Sequence, residues 1–182
     1  TPVQTILLPP VLDRETLQVH ITNVLDISAQ GYRIHFPSEP PKLLNTGEFI
    51  LLKEQTDPHW KAGVIRWKKK YVMNSHAFGV EVLATQVRAC HLQYRAQGMQ
   101  LSAQAIPSLI LFQPSFGRSN FSLIIPNIAD FDLEVALLLH LTEHFFEIQL
   151  SQKLLITESL LQFNFALSDS DQYRSLLNLL QR

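Results

Sequence analysis

Apolar and polar positions alternate along the first half of this chain in short runs divided by turn residues. Leu17, Val19 and Ile21 alternate with Gln18, His20 and Thr22, which predicts a half-buried strand. In residues 31–36, Ile34 and Phe36 share one face and Arg33 and His35 the other, until Pro37-Ser38-Glu39-Pro40-Pro41 stops the strand. Residues 47–54 and 60–68 predict two further strands around a turn at Gln55–Pro58. Residues 3–12 are apolar but contain Pro9-Pro10, so they read as an edge strand or an irregular entry. Short strands in this order predict an antiparallel barrel or sandwich.

The pattern changes after Ala84. Val87, Cys90 (or His91) and Tyr94 recur at helical spacing and Gly98 follows, which predicts a helix packed across a barrel mouth. A linker then runs to about Pro107. Short apolar runs follow, broken by Pro114, Gly117, Pro126 and Asn127, with strict alternation at Gln162-Phe163-Asn164-Phe165. They predict a second small β-rich domain, although the Leu-rich stretch 132–155 also admits a helix. Asp169 or Asp171 can cap a final helix whose apolar face is Tyr173, Leu176, Leu177 and Leu180. The fold expected is mainly β: an antiparallel β-barrel with a C-terminal helix in residues 1–98, then a second small β-rich domain in residues 107–182 that ends in a helix.

With 46% hydrophobic and 17% charged residues, the chain has enough apolar material for real cores. The net charge of −1 gives no global field for nucleic acid or an anionic membrane. The first 98 residues carry 11 Lys/Arg against 8 Asp/Glu, and the remainder 4 against 8. A mildly basic first half suits an anionic ligand, and equally suits packing against an acidic second half. The single Cys90 cannot form an internal disulfide, which points to a reducing, cytoplasmic setting. No apolar run approaches the ~20 residues that span a bilayer.

The candidate chemistry lies in Asp26-Ile27-Ser28-Ala29-Gln30-Gly31. On a strand, Asp26 and Ser28 share a face; if Ile27 enters a core, both stand at the surface. Gly31 adds a backbone position that a ligand can approach. An acceptor, a hydroxyl and a bare backbone on one rim suit a nucleotide. They also make an ordinary turn.

The spacing Asp-x-Ser-x-x-Gly resembles the second signature of PilZ domains, bacterial β-barrels that bind cyclic di-GMP. Gly31-Tyr32-Arg33-Ile34, Thr46 to Leu52, Gly63-Val64-Ile65-Arg66-Trp67 and Phe78 to Leu83 are similar to the strands that follow in that family. The resemblance covers about residues 5–97. It implies that Asp26 and Ser28 bond guanine or ribose edges and that Gly31 permits close approach. The family's first signature, Arg-x-x-x-Arg, is missing from residues 1–26. Phosphate contacts are therefore expected from arginines upstream of Thr1 or from Arg14, Arg33 and Arg66. The resemblance implies a non-catalytic second-messenger receptor that binds cyclic di-GMP, needs no cofactor, and passes the signal to a protein partner through its second domain. The alternative is a degenerate PilZ-like interaction module that binds no nucleotide.

Other patterns are weaker. Arg66-Trp67-Lys68-Lys69-Lys70-Tyr71 joins charge to aromatics. It is too short for a nucleic-acid footprint, and is expected to be a solvated hairpin tip with Trp67 in the core. His140-Leu141-Thr142-Glu143-His144 spells a zinc-hydrolase motif, but one that requires a helix where the pattern favours strand and turn. Gly117-Arg118-Ser119-Asn120 reads as a hairpin loop.

Overall fold

A computed structural model describes residues 2–7, 18–28, 30–42, 44–94, 105–114, 120–127, 133, 136–157 and 159–181. The chain divides into two compact units, residues 1–87 and 88–182.

The first unit is a closed antiparallel barrel. Its strands are β1 (Pro2–Leu7), β2 (Gln18–Ser28), β3 (Gly31–Phe36), β4 (Phe49–Glu54), β5 (Lys61–Lys70) and β6 (His76–Ala84). They pair in the order β1-β2-β3-β6-β5-β4, and β4 closes back onto β1. β1 is thus not the edge strand expected from the prolines: it pairs on both sides, and Pro9-Pro10 lie outside the described residues. The interior is filled by Tyr32, Ile34, Phe36, Leu44, Ile50, Leu52, Ile65, Phe78 and Val80.

The alternation in β2 runs opposite to its apolar pattern. Ile21 is 75% exposed and Val19 54%, while Thr22 is buried. Cross-strand partners share a face, and Val24 lies opposite the fully buried Ile34. The apolar side chains of β3, Tyr32, Ile34 and Phe36, fill the core, and Val24 packs against them in this register. The ladder then slips by one residue at Leu25, between Val24 and Asp26. That bulge exchanges the faces. Without it Asp26 and Ser28 would follow Thr22 and Val24 inward; with it they turn outward. Ile27 does not enter the core, since it stands at the rim with 52% exposure.

The second unit is also a closed barrel, ordered β10-β11-β12-β9-β8-β7. Its strands are β7 (Gln86–Tyr94), β8 (Ile106–Gln113), β9 (Asn120–Pro126), β10 (Ala136–Leu141), β11 (His144–Ile156) and β12 (Leu160–Leu167). In place of the helix expected from Ala84 to Gln97, residues Gln86–Tyr94 are therefore a strand, and residues 95–97 lie outside the described residues. Cys90, Leu92 and Tyr94 also recur with period two, and β10 needs a partner: Leu139 lies opposite Leu92 and Leu137 opposite Tyr94. Barrel closure decides between two periodicities that the sequence supports equally. The Leu-rich stretch 132–155 contributes β10 and β11, not a helix. Cys90 is buried, and burial pushes its thiol well above the ordinary range. The stretch 115–119 lies outside the described residues, and the strands flanking it form a hairpin in which Gln113 pairs with Asn120.

The chain ends in α1 (Ser170–Leu180). Asp169 is its cap, accepting from the backbone N–H of Asp171 at 2.9 Å and of Gln172 at 2.8 Å. Leu176 and Leu180 are buried in the second barrel's core, with Leu177 packed beside them.

Candidate functional site

The outer face of the first barrel carries a groove of about 440 Å³ lined by residues of β2, β3, β5 and β6. The pairing register lays out its floor as two rows. In one row Asp26 lies opposite Arg33, Arg33 opposite Gly79, and Gly79 opposite Trp67. In the other, Ser28 lies opposite Gly31 and Gly31 opposite Glu81. Asp26, Ser28, Gly31, Arg33 and Arg66 all line this groove. The sixth expected residue, Arg14, lies outside the described residues.

Trp67 corrects the expectation of a core residue. It is 42% exposed and lines the groove. The cause is a second slip in the ladder, between Ile65 and Trp67. Ile65 faces the interior opposite Val80. Strict alternation would carry Trp67 inward as well; the extra residue, Arg66, turns it outward against Gly79. Its indole occupies the space that a side chain at Gly79 would take, because a Cβ there would lie 1.9 Å from the indole Nε1. Gly79 is therefore the bed on which an aromatic plate lies flat.

Gly31 has a different reason from the one expected. Its φ is not positive, and a Cβ would sit 2.1 Å from the Val80 carbonyl oxygen. The missing side chain allows β3 to approach β6, so the residue serves the sheet before it serves any ligand. The turn beside it is closed locally. The Ser28 hydroxyl donates to the Gly31 carbonyl at 3.3 Å and accepts from the Gln30 backbone N–H at 3.4 Å.

Charges of both signs meet in the groove. The Arg66 Nε donates to Glu81 Oε2 at 2.5 Å, with both side chains about half exposed. Tyr32 forms part of the floor and is held from inside the barrel. Its hydroxyl donates to Glu54, and Lys61 Nζ donates to that hydroxyl at 2.8 Å and to Glu54 at 2.5 Å. Asp57 completes the cluster at 3.2 Å from Lys61. Burial, followed by the bond to Glu54, pushes the Tyr32 hydroxyl up. Bonds from Lys61 and then Tyr32 hold the Glu54 carboxyl below its ordinary value. For Lys61, burial works against the charge, but the bonds to Glu54 and Tyr32 outweigh it and keep the ammonium protonated.

The other candidate does not assemble. His140 is the penultimate residue of β10 and His144 opens β11, across a tight turn in which Thr142 has φ of 54°. The helix that would put both histidines on one face is absent there.

This face carries the aspartate, serine, glycines and tryptophan of the motif on four consecutive strands. Residues 11–88 match the family model described as the middle PilZ domain of the cyclic-di-GMP receptor FimW. The first barrel is a PilZ-type domain. FimW of Pseudomonas aeruginosa is 29% identical to this chain over 70 residues, which are 38% of the chain and 12% of FimW. The match therefore spans about an eighth of that relative. Solved structures with a weak overall likeness include the K. pneumonia MrkH–c-di-GMP complex, at TM-score 0.35 and 14% identity, covering 100% of this chain and 86% of MrkH. The Bacillus subtilis inhibitor of motility MotI/DgrA gives TM-score 0.33 and 12% identity, covering 100% of this chain and 95% of MotI.

Six lining residues of the PilZ groove were not among the expected site residues: Gln30, Tyr32, Trp67, Gly79, Val80 and Glu81. Trp67 has a signal in the glycine sixteen positions from Gly63, since Gly79 pairs with it. Glu81 has none that precedes knowledge of the register.

Proposed function

We propose that this chain is a non-catalytic receptor for cyclic di-GMP, which it binds in the groove of its PilZ barrel. One observation carries the reading: Asp26, Ser28, Arg33, Arg66 and Trp67 line a single groove within the segment that matches the FimW domain. The groups divide the work by their chemistry. The Asp26 carboxylate accepts from guanine N–H groups, and Ser28 bonds base or ribose edges. The guanidinium groups of Arg33 and Arg66 face phosphate, to which they bond in pairs. Trp67 offers a flat apolar face for a purine. Arg66 must leave Glu81 to do so, and an arginine outside the described residues, Arg14 among them, can add a third contact. In this reading binding draws those groups together and alters what the chain presents to a protein partner, with the second barrel as the relay. The buried free thiol of Cys90 is compatible with a reducing compartment such as the cytoplasm.

Calorimetric titration of cyclic di-GMP tests the assignment. Micromolar binding is expected, lost in Asp26→Ala and weakened at least tenfold in Arg33→Ala. Absence of binding to the unaltered chain, confirmed by equilibrium dialysis, would refute the receptor reading. It would favour the alternative, an interaction module that has lost its ligand.

A further inference from the structure

The hairpin between β5 and β6 collects lysines and unburied apolar side chains at one end. Lys68, Lys69 and Lys70 are exposed, and the chain continues into Tyr71, Val72 and Met73, exposed by 40%, 86% and 95%. Met73 and Asn74 have φ of 60° and 57°. Asparagine tolerates the left-handed region; methionine is rare there. A glycine or a second asparagine would form the turn with less strain, and neither Val72 nor Met73 belongs to the core. The fold gains nothing from an apolar side chain at this tip.

The arch is nevertheless held in shape. The Tyr71 backbone N–H donates to the Ser75 carbonyl at 2.8 Å, and the Ser75 hydroxyl donates to the Val72 carbonyl at 3.2 Å. Lys68 is committed to the barrel, since its ammonium donates to the Leu44 carbonyl at 3.2 Å and lies over the Phe78 ring. Lys69 lies over the Tyr71 ring at 5.2 Å, still exposed. From Trp67 to Val80 the sequence contains no Asp or Glu.

We propose that this tip is a docking point for an anionic lipid surface. Val72 and Met73 enter the boundary between headgroups and acyl chains, Tyr71 sits at the headgroup level, and Lys69 and Lys70 meet the lipid phosphates. The order along the hairpin carries the assignment: an aliphatic tip, then an aromatic ring with an apolar body and a polar end, then cations. That order matches the polarity gradient of a bilayer interface. A nucleic-acid backbone would use the lysines but leave the two aliphatic side chains in water, whereas a lipid interface takes up both. The contact is peripheral: among the described residues no helix is long and apolar enough to cross a membrane.

Flotation of the chain with vesicles tests this without reference to cyclic di-GMP. The chain should float with vesicles of phosphatidylglycerol and phosphatidylcholine in equal parts, less with phosphatidylcholine alone, and less as salt rises. Val72→Ser combined with Met73→Asn keeps the left-handed turn and should abolish flotation while thermal unfolding is unchanged. Lys69→Gln and Lys70→Gln should each weaken binding roughly fivefold. Failure of the unaltered chain to float, or flotation indifferent to both sets of substitutions, overturns the proposal. So does displacement from vesicles by random-sequence duplex DNA at equal phosphate, which would make the tip a phosphate-polymer contact.

Discussion

Replacing Gly31 with alanine separates two explanations of a motif glycine. If the residue serves only a ligand's approach, Gly31→Ala costs affinity and leaves stability alone. The packing of β3 on β6 says otherwise. A Cβ at Gly31 would lie 2.1 Å from the Val80 carbonyl oxygen, where ordinary contact begins at 3.4 Å. The strands must part locally by about 1.3 Å, the difference of those two distances. That displacement weakens one or two ladder hydrogen bonds, worth about 1 kcal/mol net each. Overpacking strain adds about 1–3 kcal/mol. The expected loss is about 2–5 kcal/mol without any ligand. Both tryptophans of the chain, Trp60 and Trp67, belong to the first unit, so their fluorescence during urea unfolding follows this barrel alone. An unchanged urea midpoint in Gly31→Ala would refute the argument and return the glycine to the ligand.

Three further outcomes are expected. Gly79→Ala forces the exposed Trp67 indole off its bed and leaves the backbone in place; stability should change by under ~1 kcal/mol while cyclic di-GMP affinity, measured by calorimetry, falls roughly tenfold or more. Glu81→Gln releases Arg66 from a half-exposed ion pair of about 0.2–1 kcal/mol, so the same titration should show affinity rising by up to roughly fivefold. The Glu54 carboxyl, lowered by its bonds from Lys61 and Tyr32, stabilises the barrel above its ordinary titration range, and this is lost as pH falls through the lower folded value. Thermal melts followed by tryptophan emission should therefore decline on acidification by about 1 kcal/mol more in the unaltered chain than in Glu54→Gln.

The sequence by itself determined that the chain is mainly β, that its first half follows the PilZ strand order, and that an aspartate, Asp169 or Asp171, and the leucines after it make a capped terminal helix. These properties rest on local chemistry. Turn residues, period-two runs such as Ile34–Phe36 and a helix cap act within a few residues, so they can be read without knowing what lies across the sheet. It also named Asp26, Ser28 and Gly31 by their motif and Arg14, Arg33 and Arg66 as substitutes for the missing signature, and all of these but Arg14, which lies outside the described residues, line one groove. It did not tell inside from outside. Val19 and Ile21 look buried and are exposed; Trp67 looks buried and lines the groove. Residues 86–94 carry a helical and a strand spacing at once, and only the need of β10 for a partner chose the strand. Two single-residue slips, at Leu25 and at Arg66, decide which side chains face the groove. A slip is a property of two paired strands, settled by which apolar face fills the barrel. A one-residue shift reverses every side chain beyond it, so the site's residues are written in the chain, but their meeting on one face is decided by tertiary pairing.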